Sequence, residues 1–307
     1  MDYKKIFRGR QTRQRIMKFL SFIPDRHMIK VQYRIKLGRF PDLNSPRRYT
    51  EKIQLYKMFY RNPILPVLVD KYRVKMYLEE KGLGNILPEL YGVYKRGEEI
   101  DFAGLPSRFV IKTNDGGGGD NVIICRDKAD LDLQDTVRKV NSWLDKKKSN
   151  AGREWAYTQI PESLIIVEEY LENPRNPELG IDDFKFFCFD GKPMLVQQDG
   201  ERFIDHRRNF YDTEWNNVRL SSTECMNFEH QLPKPRNLDR MLELAGTLSE
   251  GLPAVRVDLY SIGEKIYFGE MTFYPWSGYV QFIPDEFDFK LGELFDISTF
   301  MKEGKRS

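Results

Sequence analysis

A lysine and a run of four glycines lie close together in residues 109–125, FVIKTNDGGGGDNVIIC. The apolar runs at either end predict two strands joined as a hairpin, with Lys112 near the end of the first. Glycine lets the connecting backbone take positive φ angles and bring bare N–H groups close to a ligand. Such a loop favours an anion, usually phosphate, which Lys112 could hold as a point charge. A flexible hairpin tip is the alternative. The glycines are Gly116, Gly117, Gly118 and Gly119.

This loop is not a Walker A loop, because no Gly-Lys-Ser/Thr follows it and it leads into a strand rather than a helix. The interpretation as a phosphate site therefore depends on what other parts of the chain contribute.

Two carboxylates in the stretch AVRVDLYSIGEKIYFGEM, which begins at residue 254, suggest a second site. Its alternating pattern and central Gly predict a hairpin in which Asp258 opposes Glu270 and Arg256 opposes Thr272. Opposed residues share a face, so the two carboxylates repel each other unless a cation lies between them. Hard oxygen ligands combined with a phosphate suit Mg²⁺. An exposed pair at a sheet edge is the alternative.

Lys185 is a charge inside an otherwise apolar strand, FKFFCF, over residues 184–189. The following Asp-Gly predicts a tight hairpin turn and a returning strand near residues 194–198. Because burial of an unpaired charge is costly, Lys185 must either lie at a sheet edge or meet an anionic ligand.

Further charged residues lie on neighbouring elements. Strand 164–171, LIIVEEYL, ends in Glu168 and Glu169, which point to opposite faces. A helix over 69–81 carries Asp70, Lys71 and Lys75. Residues 199–220 form a charged loop that crosses a site or a surface. Its arginines are Arg202, Arg207 and Arg208.

Helical periodicity predicts the remaining elements. An amphipathic stripe covers residues 12–23, and a second helix covers 25–37 and ends at Gly38. Further helices are expected over 49–60, 131–148 and 238–250. The pattern predicts strands as well as helices, without internal repeats or low-complexity segments.

Length and composition exclude few classes. The chain has 307 residues, 40% apolar and 31% charged, which fits a globular protein of one large or two smaller domains. We expect no membrane span, because no run of about 18 apolar residues occurs, and no signal peptide. Three distant cysteines predict neither a disulfide framework nor a metal site, and favour the cytoplasm.

Charge is unevenly distributed along the chain. Residues 1–48 carry fourteen Lys/Arg against three Asp, a balance of +11, so the remainder carries +3 − 11 = −8. A basic arm ahead of an acidic body suggests an anionic partner such as an acidic lipid or glycan. Nucleic acid is not expected, because no recognition motif is found. A solvated helix face is the alternative, and peripheral contact with the inner face of the membrane is one hypothesis for this arm.

Taken in order, these features resemble the ATP-grasp superfamily, and specifically the TupA-like ATP-grasp family of bacterial surface-polysaccharide biosynthesis and capsule clusters. The likeness runs from about residue 23 to residue 300. It rests on seven segments in order: IPDRHMIKVQYRIKLGRFPDLNSPRRYTEKIQ, VDKYRVKMYLEEKG, LPSRFVIKTNDGGGGD, VEEYL, DFKFFCFDGKP, RFIDHRRNFYD, and VRVDLY with FGEMTFYPWSG.

The resemblance implies an α+β, ATP-grasp fold in which two α+β subdomains clamp ATP, with a basic helical N-terminal segment. It implies four segments: 1–60 as that N-terminal segment, 61–108 as a linking α/β region, 109–171 as the small lid subdomain, and 172–307 as the large subdomain with the Mg and catalytic strands.

It also implies roles for individual residues on the nucleotide side. Lys112 is similar to the lysine that reaches the α/β-phosphates, and the four glycines resemble the lid over the β/γ-phosphates. Lys71, with Lys75 as the less favoured choice, resembles the lysine on the preceding helix. Glu168 and the backbone of Glu169, Tyr170 and Leu171 resemble the hinge that binds the adenine. Lys185 resembles a further lysine near the nucleotide.

On the catalytic side, Asp258 and Glu270 resemble the Mg²⁺ ligands and Arg256 the arginine that steadies an acyl phosphate. Arg202, with Lys185, completes the predicted catalytic set. Thr272 stands where the superfamily usually has Asn, which puts a second metal site in doubt. Glu172 and Glu178 are candidates for the ribose-binding acid, and the residues do not decide between them.

The implied activity is an ADP-forming carboxylate–amine ligase that acts through an acyl phosphate. It would join an amino acid or another amine to a carboxylate, typically that of a uronic acid, on an acidic, lipid-linked or surface glycan. The basic arm and the three arginines of 199–220 could attract such a glycan. A glycosyltransferase-type enzyme and a non-catalytic nucleotide- or glycan-binding module are the alternatives; Asp182-Asp183 is the one near match to a DxD motif. The oligomeric state is not predicted.

Overall fold

The computed structural model describes residues 20–117, 121–144, 152–173 and 176–303. Its α-helices are α1 (Asp25–Leu37), α2 (Tyr49–Phe59), α3 (Leu65–Leu68), α4 (Arg73–Glu80), α5 (Leu133–Leu144), α6 (Trp155–Thr158), α7 (Leu238–Ser249), α8 (Glu286–Leu294) and α9 (Ser298–Glu303). Its strands are β1 (Leu90–Tyr94), β2 (Phe109–Thr113), β3 (Val122–Cys125), β4 (Ile165–Glu169), β5 (Asp183–Phe189), β6 (Lys192–Gly200), β7 (Arg207–Tyr211), β8 (Ser221–Ser222), β9 (Met226–Asn227), β10 (Ala254–Ile262), β11 (Lys265–Thr272) and β12 (Phe282–Ile283). The predicted mixture of helices and strands is confirmed.

The chain forms two compact units. The first takes its described residues from Met1–Asn62, Ser149–Trp155 and Asn176–Ser307, and the second from Pro63–Lys148 and Ala156–Arg175. Of the four predicted segments, the first and fourth therefore fall largely in one unit, and the second and third in the other.

The second unit contains an antiparallel sheet with the strand order β1-β4-β2-β3. Strand β2 alternates buried and half-buried residues, as expected for a strand with one face on a core. Phe109 and Ile111 lie on the core face, where Val140 and Trp143 of α5 pack against them. The opposite face carries Lys112. The predicted hairpin on either side of the glycine run is confirmed.

Two boundaries in this unit differ from the prediction. Helix α4 begins at Arg73 rather than at residue 69, because the Asp70 carboxylate accepts the backbone N–H groups of Tyr72 and Arg73 at 2.9 and 3.1 Å. The carboxylate thus satisfies two backbone N–H groups in the turn that precedes the helix. Strand β4 ends at Glu169 rather than at residue 171, because its partner β2 begins at Phe109, opposite Glu169.

Other helices match their predicted positions closely. Helix α1 ends at Gly38, whose φ of 73° forms the left-handed cap that glycine favours. Helix α5 begins after Asp132, whose carboxylate accepts the N–H of Asp135. Of the predicted helix over 12–23, residues 12–19 lie outside the described residues, and Leu20–Phe22 is a 3₁₀ turn. Residues 145–148 of the predicted helix over 131–148 also lie outside them.

The first unit contains a six-stranded sheet in the order β11-β10-β5-β6-β7-β9. Apolar residues of α7 are buried beside β5, β6 and β10, and Cys188 of β5 contacts the Ala245 carbonyl on this helix. The other face of β5 presents Phe187 and Phe189, which pack against Tyr49 of α2. Asp183 and Lys185 lie on that same face, because side chains alternate along a strand. Aromatic packing thus covers one end of the face and charged residues occupy the other.

Within the described part of the chain, none of the helices combines the length and apolar character needed to cross a bilayer.

Candidate functional site

In the second unit, two lysines converge on one buried carboxylate. Glu168 is 5% exposed and forms ion pairs with Lys112 of β2 and Lys75 of α4. The Lys75 Nζ lies 3.0 Å from Glu168 Oε2. Burial acts to raise the pKa of Glu168, but the two lysines outweigh it and lower that pKa. Burial also lowers the pKa of Lys112. The trio is a charged group on the sheet face opposite the apolar core, with more positive than negative charge.

Lys71 makes a different set of contacts from Lys75. It lies in the turn before α4, its Nζ donates to the Gly116 carbonyl at 2.6 Å, and its backbone N–H donates to the Asn114 carbonyl. Asn114 in turn donates to Asp70. Lys71 therefore anchors the start of the glycine loop, whereas Lys75 joins Lys112 at Glu168. Gly117 has open space around its Cα; Gly118 and Gly119 lie outside the described residues.

The predicted hinge residues begin at the end of β4. Glu169 exchanges contacts with Glu89: its N–H donates to the Glu89 carbonyl at 2.8 Å, and its carboxylate accepts the Glu89 N–H. Tyr170 and Leu171 follow the strand and are half-buried. The Arg108 guanidinium lies over the Tyr170 ring and also pairs with Glu172. Glu172 thus has a cationic partner in the protein itself.

In the first unit, the predicted register of the acidic hairpin is confirmed. Asp258 pairs with Glu270, and Arg256 pairs with Thr272. A bulge separates this register from the pairing of Leu259 with Phe268, so Gly269 is the extra residue of β11. A Cβ at Gly269 would lie 3.0 Å from the Asp258 carbonyl oxygen. Bulges of this kind redirect side chains, and this one brings the two carboxylates opposite each other.

Arg256 binds Asp258 in a bidentate manner. Its Nε and Nη2 atoms donate to the two carboxylate oxygens, both at 2.7 Å. Nη2 also donates to the Thr272 hydroxyl at 3.2 Å and lies 3.6 Å from Glu270 Oε1. Burial alone would lower the pKa of Arg256, but Asp258 raises it. For Asp258, burial is the stronger influence and raises the pKa.

Lys185 follows neither of the two alternatives considered from the sequence. Strand β5 is internal to the sheet, so Lys185 does not lie at an edge. Its side chain is 7% exposed, and its ammonium meets two carboxylates of the protein, Asp183 and, at 2.8 Å, Asp258. The anion that the sequence required is therefore supplied by the same sheet.

A second charged row lies beside the first. Asp183, Asp199 and Arg208 face one another across β5, β6 and β7. Arg202 binds Asp183 and lies 3.6 Å from Asp199, and Arg208 Nε lies 3.1 Å from Asp199. The sequence prediction named Asp183 only as part of a near match to a DxD motif, and it did not single out Asp199. The i, i+2 spacing of Asp183 and Lys185 was the available signal, because such residues share a strand face.

The donors on this face suit a hard cation. Asp258, Glu270 and Thr272 present carboxylate and hydroxyl oxygens on paired strands. In the described ranges, however, no three His, Cys, Asp or Glu side chains cluster in a way that could hold a metal. The residues therefore fit a cation that takes its remaining ligands from another molecule, such as a phosphate.

The predicted site residues thus fall into two groups. Lys71, Lys112 and the described glycines share one unit with Glu168, and Lys185, Arg202 and Arg256 share the other with Asp258, Glu270 and Thr272.

A sequence model of the TupA-like ATPgrasp family matches residues 51–296, which include both groups. The chain belongs to this family. No curated protein sequence matches it significantly. The TupA-like ATPgrasp assignment agrees with the mixed α+β architecture.

Solved structures similar to this chain include D-alanine–D-alanine ligases. The enzyme from Bacillus anthracis, in its complex with ATP, is 17% identical, with a TM-score of 0.45 over 78% of this chain and 67% of that one. In another structure of the same enzyme the values are 19%, 0.42, 67% and 57%. An N5-carboxyaminoimidazole synthetase from Staphylococcus aureus, complexed with ADP, is 14% identical, with a TM-score of 0.41 over 67% of this chain and 44% of that one. This TupA-like ATPgrasp chain spans 44% to 67% of their lengths.

Proposed function

We propose that this protein is an ADP-forming, ATP-dependent carboxylate–amine ligase. The observation that carries the proposal is the pairing of Asp258 with Glu270 beside Arg256, within the 51–296 segment that matches the ATP-grasp family. The Lys112–Glu168–Lys75 trio of the second unit adds cations suited to phosphate. ATP and Mg²⁺ are the proposed cofactors.

The chemistry needs activation of a carboxylate, which is a poor electrophile because its leaving group would be oxide. A carboxylate oxygen attacks the γ-phosphorus of ATP, the bond to the β-phosphate oxygen breaks, and ADP leaves. The amine then attacks the acyl carbon of the acyl phosphate, phosphate leaves, and a proton is released from nitrogen. Such a reaction requires positioning and neutralisation of charge rather than a side-chain nucleophile.

The residues of this chain can supply those requirements. Lys112 and Lys185 would neutralise phosphate charge, and Arg256 would neutralise the charge that develops on the acyl phosphate. Arg202 holds Asp183 and thereby orients Lys185. Asp258 and Glu270, with the Thr272 hydroxyl, would hold Mg²⁺, which when bound neutralises phosphate oxygens. The adenine would lie at Glu168–Leu171.

The proposed substrates are an acidic saccharide of a bacterial surface polysaccharide and an amino acid or another amine. This part of the proposal is supported by the family assignment and by the basic balance of residues 1–48. We further propose that the protein works in the cytoplasm, with its basic N-terminal segment in contact with acidic lipid or with the lipid-linked substrate.

The test is the release of ADP and phosphate by the full chain. We expect release to require both a carboxylate and an amine, and to fall by about 10²- to 10³-fold in Glu270→Gln and Lys112→Ala. Lys192→Met, an exposed lysine of the β5–β6 hairpin, is the matched control and should retain full turnover. Unchanged turnover in Glu270→Gln and Lys112→Ala would refute the assignment. Nucleotide binding without turnover on any carboxylate–amine pair would favour the non-catalytic binding module instead.

A further inference from the structure

A groove lies beside the second charged row of the first unit. It has a volume of about 680 Å³ and is lined by His206 and by residues 221–227, which include β8 and β9. That volume lies within the range of small-molecule sites in proteins. The lining carries the hydroxyls of Ser221, Ser222 and Thr223 and the amide of Asn227, groups that suit a polyhydroxylated ligand.

A buried arginine backs the wall of this groove. Arg208 is 6% exposed, and its Nη1 donates to the Ser222 hydroxyl at 3.4 Å. It also contacts the Cys225 thiol, so it touches two residues of the lining. The Trp276 ring lies 5.8 Å from the guanidinium, in a turn where Trp276 and Ser277 both have positive φ. Backbone strain of this kind is concentrated at functional sites.

Several charged groups meet at this end of the sheet. Asp199 is 1% exposed, and Arg208, Arg202 and His206 all lie within 3.6 Å of its carboxylate. Burial acts to raise the pKa of Asp199, but the hydrogen bond from His206 and the charges of Lys185 and Arg208 outweigh it and hold that pKa below its usual range. Arg202 is shared between Asp199 and Asp183, and the His206 side chain beside Asp199 is 39% exposed. The groove therefore has Arg208 and His206 beside Asp199 at its buried end, and Glu224 is an exposed carboxylate of its lining.

We infer that this groove binds the carboxylate-bearing sugar of the acceptor saccharide, with Arg208, His206 and Ser222 binding the carboxylate. The inference rests on the proposed function for the identity of the anion. Its chemical basis is a guanidinium that can form charge-assisted hydrogen bonds to a carboxylate, next to hydroxyl and amide groups for the sugar hydroxyls. Arg208 lies in the row of paired residues that contains Asp183 and Asp199. The next row on the same face of the sheet contains Lys185 and Asp258.

The test measures binding of trigalacturonate to the full chain by calorimetry, with maltotriose as the neutral comparison and glucose 1-phosphate as the phosphate comparison. We expect trigalacturonate to bind and maltotriose to bind at least tenfold more weakly. Arg208→Met and His206→Gln should each weaken trigalacturonate binding by about tenfold or more, the effect of one hydrogen bond to a charged group. His206 is the safer substitution for folding, because its side chain is partly exposed.

Arg240→Met is the control. Arg240 lies on α7, which packs on the opposite face of the sheet, and its exposed side chain pairs with Glu243. It should leave trigalacturonate affinity unchanged. Equal affinity for maltotriose, tighter binding of glucose 1-phosphate, or unchanged affinity in His206→Gln and Arg208→Met would each overturn the inference.

ADP release measures the proposed ligase activity separately from saccharide binding. Uronate binding that depends on Arg208 and His206, without any ADP release, supports the groove and refutes the ligase. ADP release that requires a uronate, with a KM unaffected by His206→Gln, supports the ligase and overturns the groove.

Discussion

Lys185→Met tests whether the charged face of the first unit is held together by its own ion pairs. The substitution keeps the length of the side chain and removes its charge. Lys185, Asp183 and Asp258 have side chains that are 7%, 2% and 2% exposed, so both carboxylates lose a cation where water cannot replace it. Removal of one member of a buried ion pair typically costs 3–5 kcal/mol. Since Arg256 still pairs with Asp258 and Arg202 with Asp183, we expect a loss of stability at the lower end of this range, about 3 kcal/mol.

The loss of stability in Lys185→Met should increase with pH. Burial already raises the pKa of Asp258 above its unfolded value, and removal of Lys185 raises it further. A carboxyl whose folded pKa is raised takes up its proton more readily in the folded state, so the associated stability is present at low pH and is lost as pH rises. The deficit of Lys185→Met relative to the wild type should therefore be larger at pH 8 than at pH 5.

Urea unfolding followed by circular dichroism at pH 5, 6.5 and 8 measures this deficit. The slope of the free energy of unfolding against urea concentration should be equal for the variant and the wild type, which shows that both expose the same surface on unfolding. Lys192→Met, exposed at the start of β6, is the control and should change stability by less than about 0.5 kcal/mol. A deficit for Lys185→Met below about 1 kcal/mol, or one that is equal at pH 5 and 8, would refute the account of Lys185 as the shared partner of two buried carboxylates.

Two further substitutions test other parts of the first unit. Lys57 is fully buried, donates to the carbonyls of Gly152 and Ser277 at 3.1 and 2.9 Å, and has a pKa lowered by burial to about 7. Between pH 7 and 9 the unfolded state therefore binds more protons than the folded state. From pH 7 to pH 9, the free energy of unfolding of the wild type should rise by about 2 kcal/mol more than that of Lys57→Met. Equal pH dependence of the two proteins in urea unfolding would contradict this. Gly278→Ala combines a φ of +70° with a Cβ 2.4 Å from Gln54 Nε2, whereas Gly251→Ala has a φ of +72° in open space. Thermal unfolding should show the first to be less stable than the second by about 1–3 kcal/mol, the cost of overpacking, and equal losses would show that the clash is relieved.

The sequence predicted local pairing better than contacts between distant segments. Alternation and the central turn were sufficient to place Asp258 opposite Glu270, because a hairpin fixes its own register. The bulge at Gly269 was not predicted, since one extra residue leaves the alternating pattern almost unchanged. The start of α4 was placed too early because the pattern of apolar residues continues through Asp70, and the carboxylate that ends the turn acts on backbone groups.

The partners of Lys185 could not be predicted from its own strand. Asp183 is two residues away, but Asp258 becomes a neighbour because β10 pairs with β5, a contact between segments about seventy residues apart. The pairing of Lys75 with Glu168 has the same origin, because it joins a helix to a strand that follows the glycine hairpin. Residue types indicated where charge was needed, and the order of strands in each sheet decided which charges meet.

The balance of charge on the first unit's sheet face bears directly on the proposed ligase. Asp183, Asp199, Asp258 and Glu270 lie among Lys185, Arg202, Arg208 and Arg256, so these eight groups sum to zero without a ligand. Under the proposed function, Asp258 and Glu270 would hold a metal, and Arg256, which pairs with Asp258 in this structure, would need another anion such as a nucleotide phosphate. Metal alone or nucleotide alone would leave one sign of charge buried without a partner, which is costly. Under the proposed function we therefore expect metal and nucleotide to bind together, with the present ion pairs holding these side chains in place before they bind.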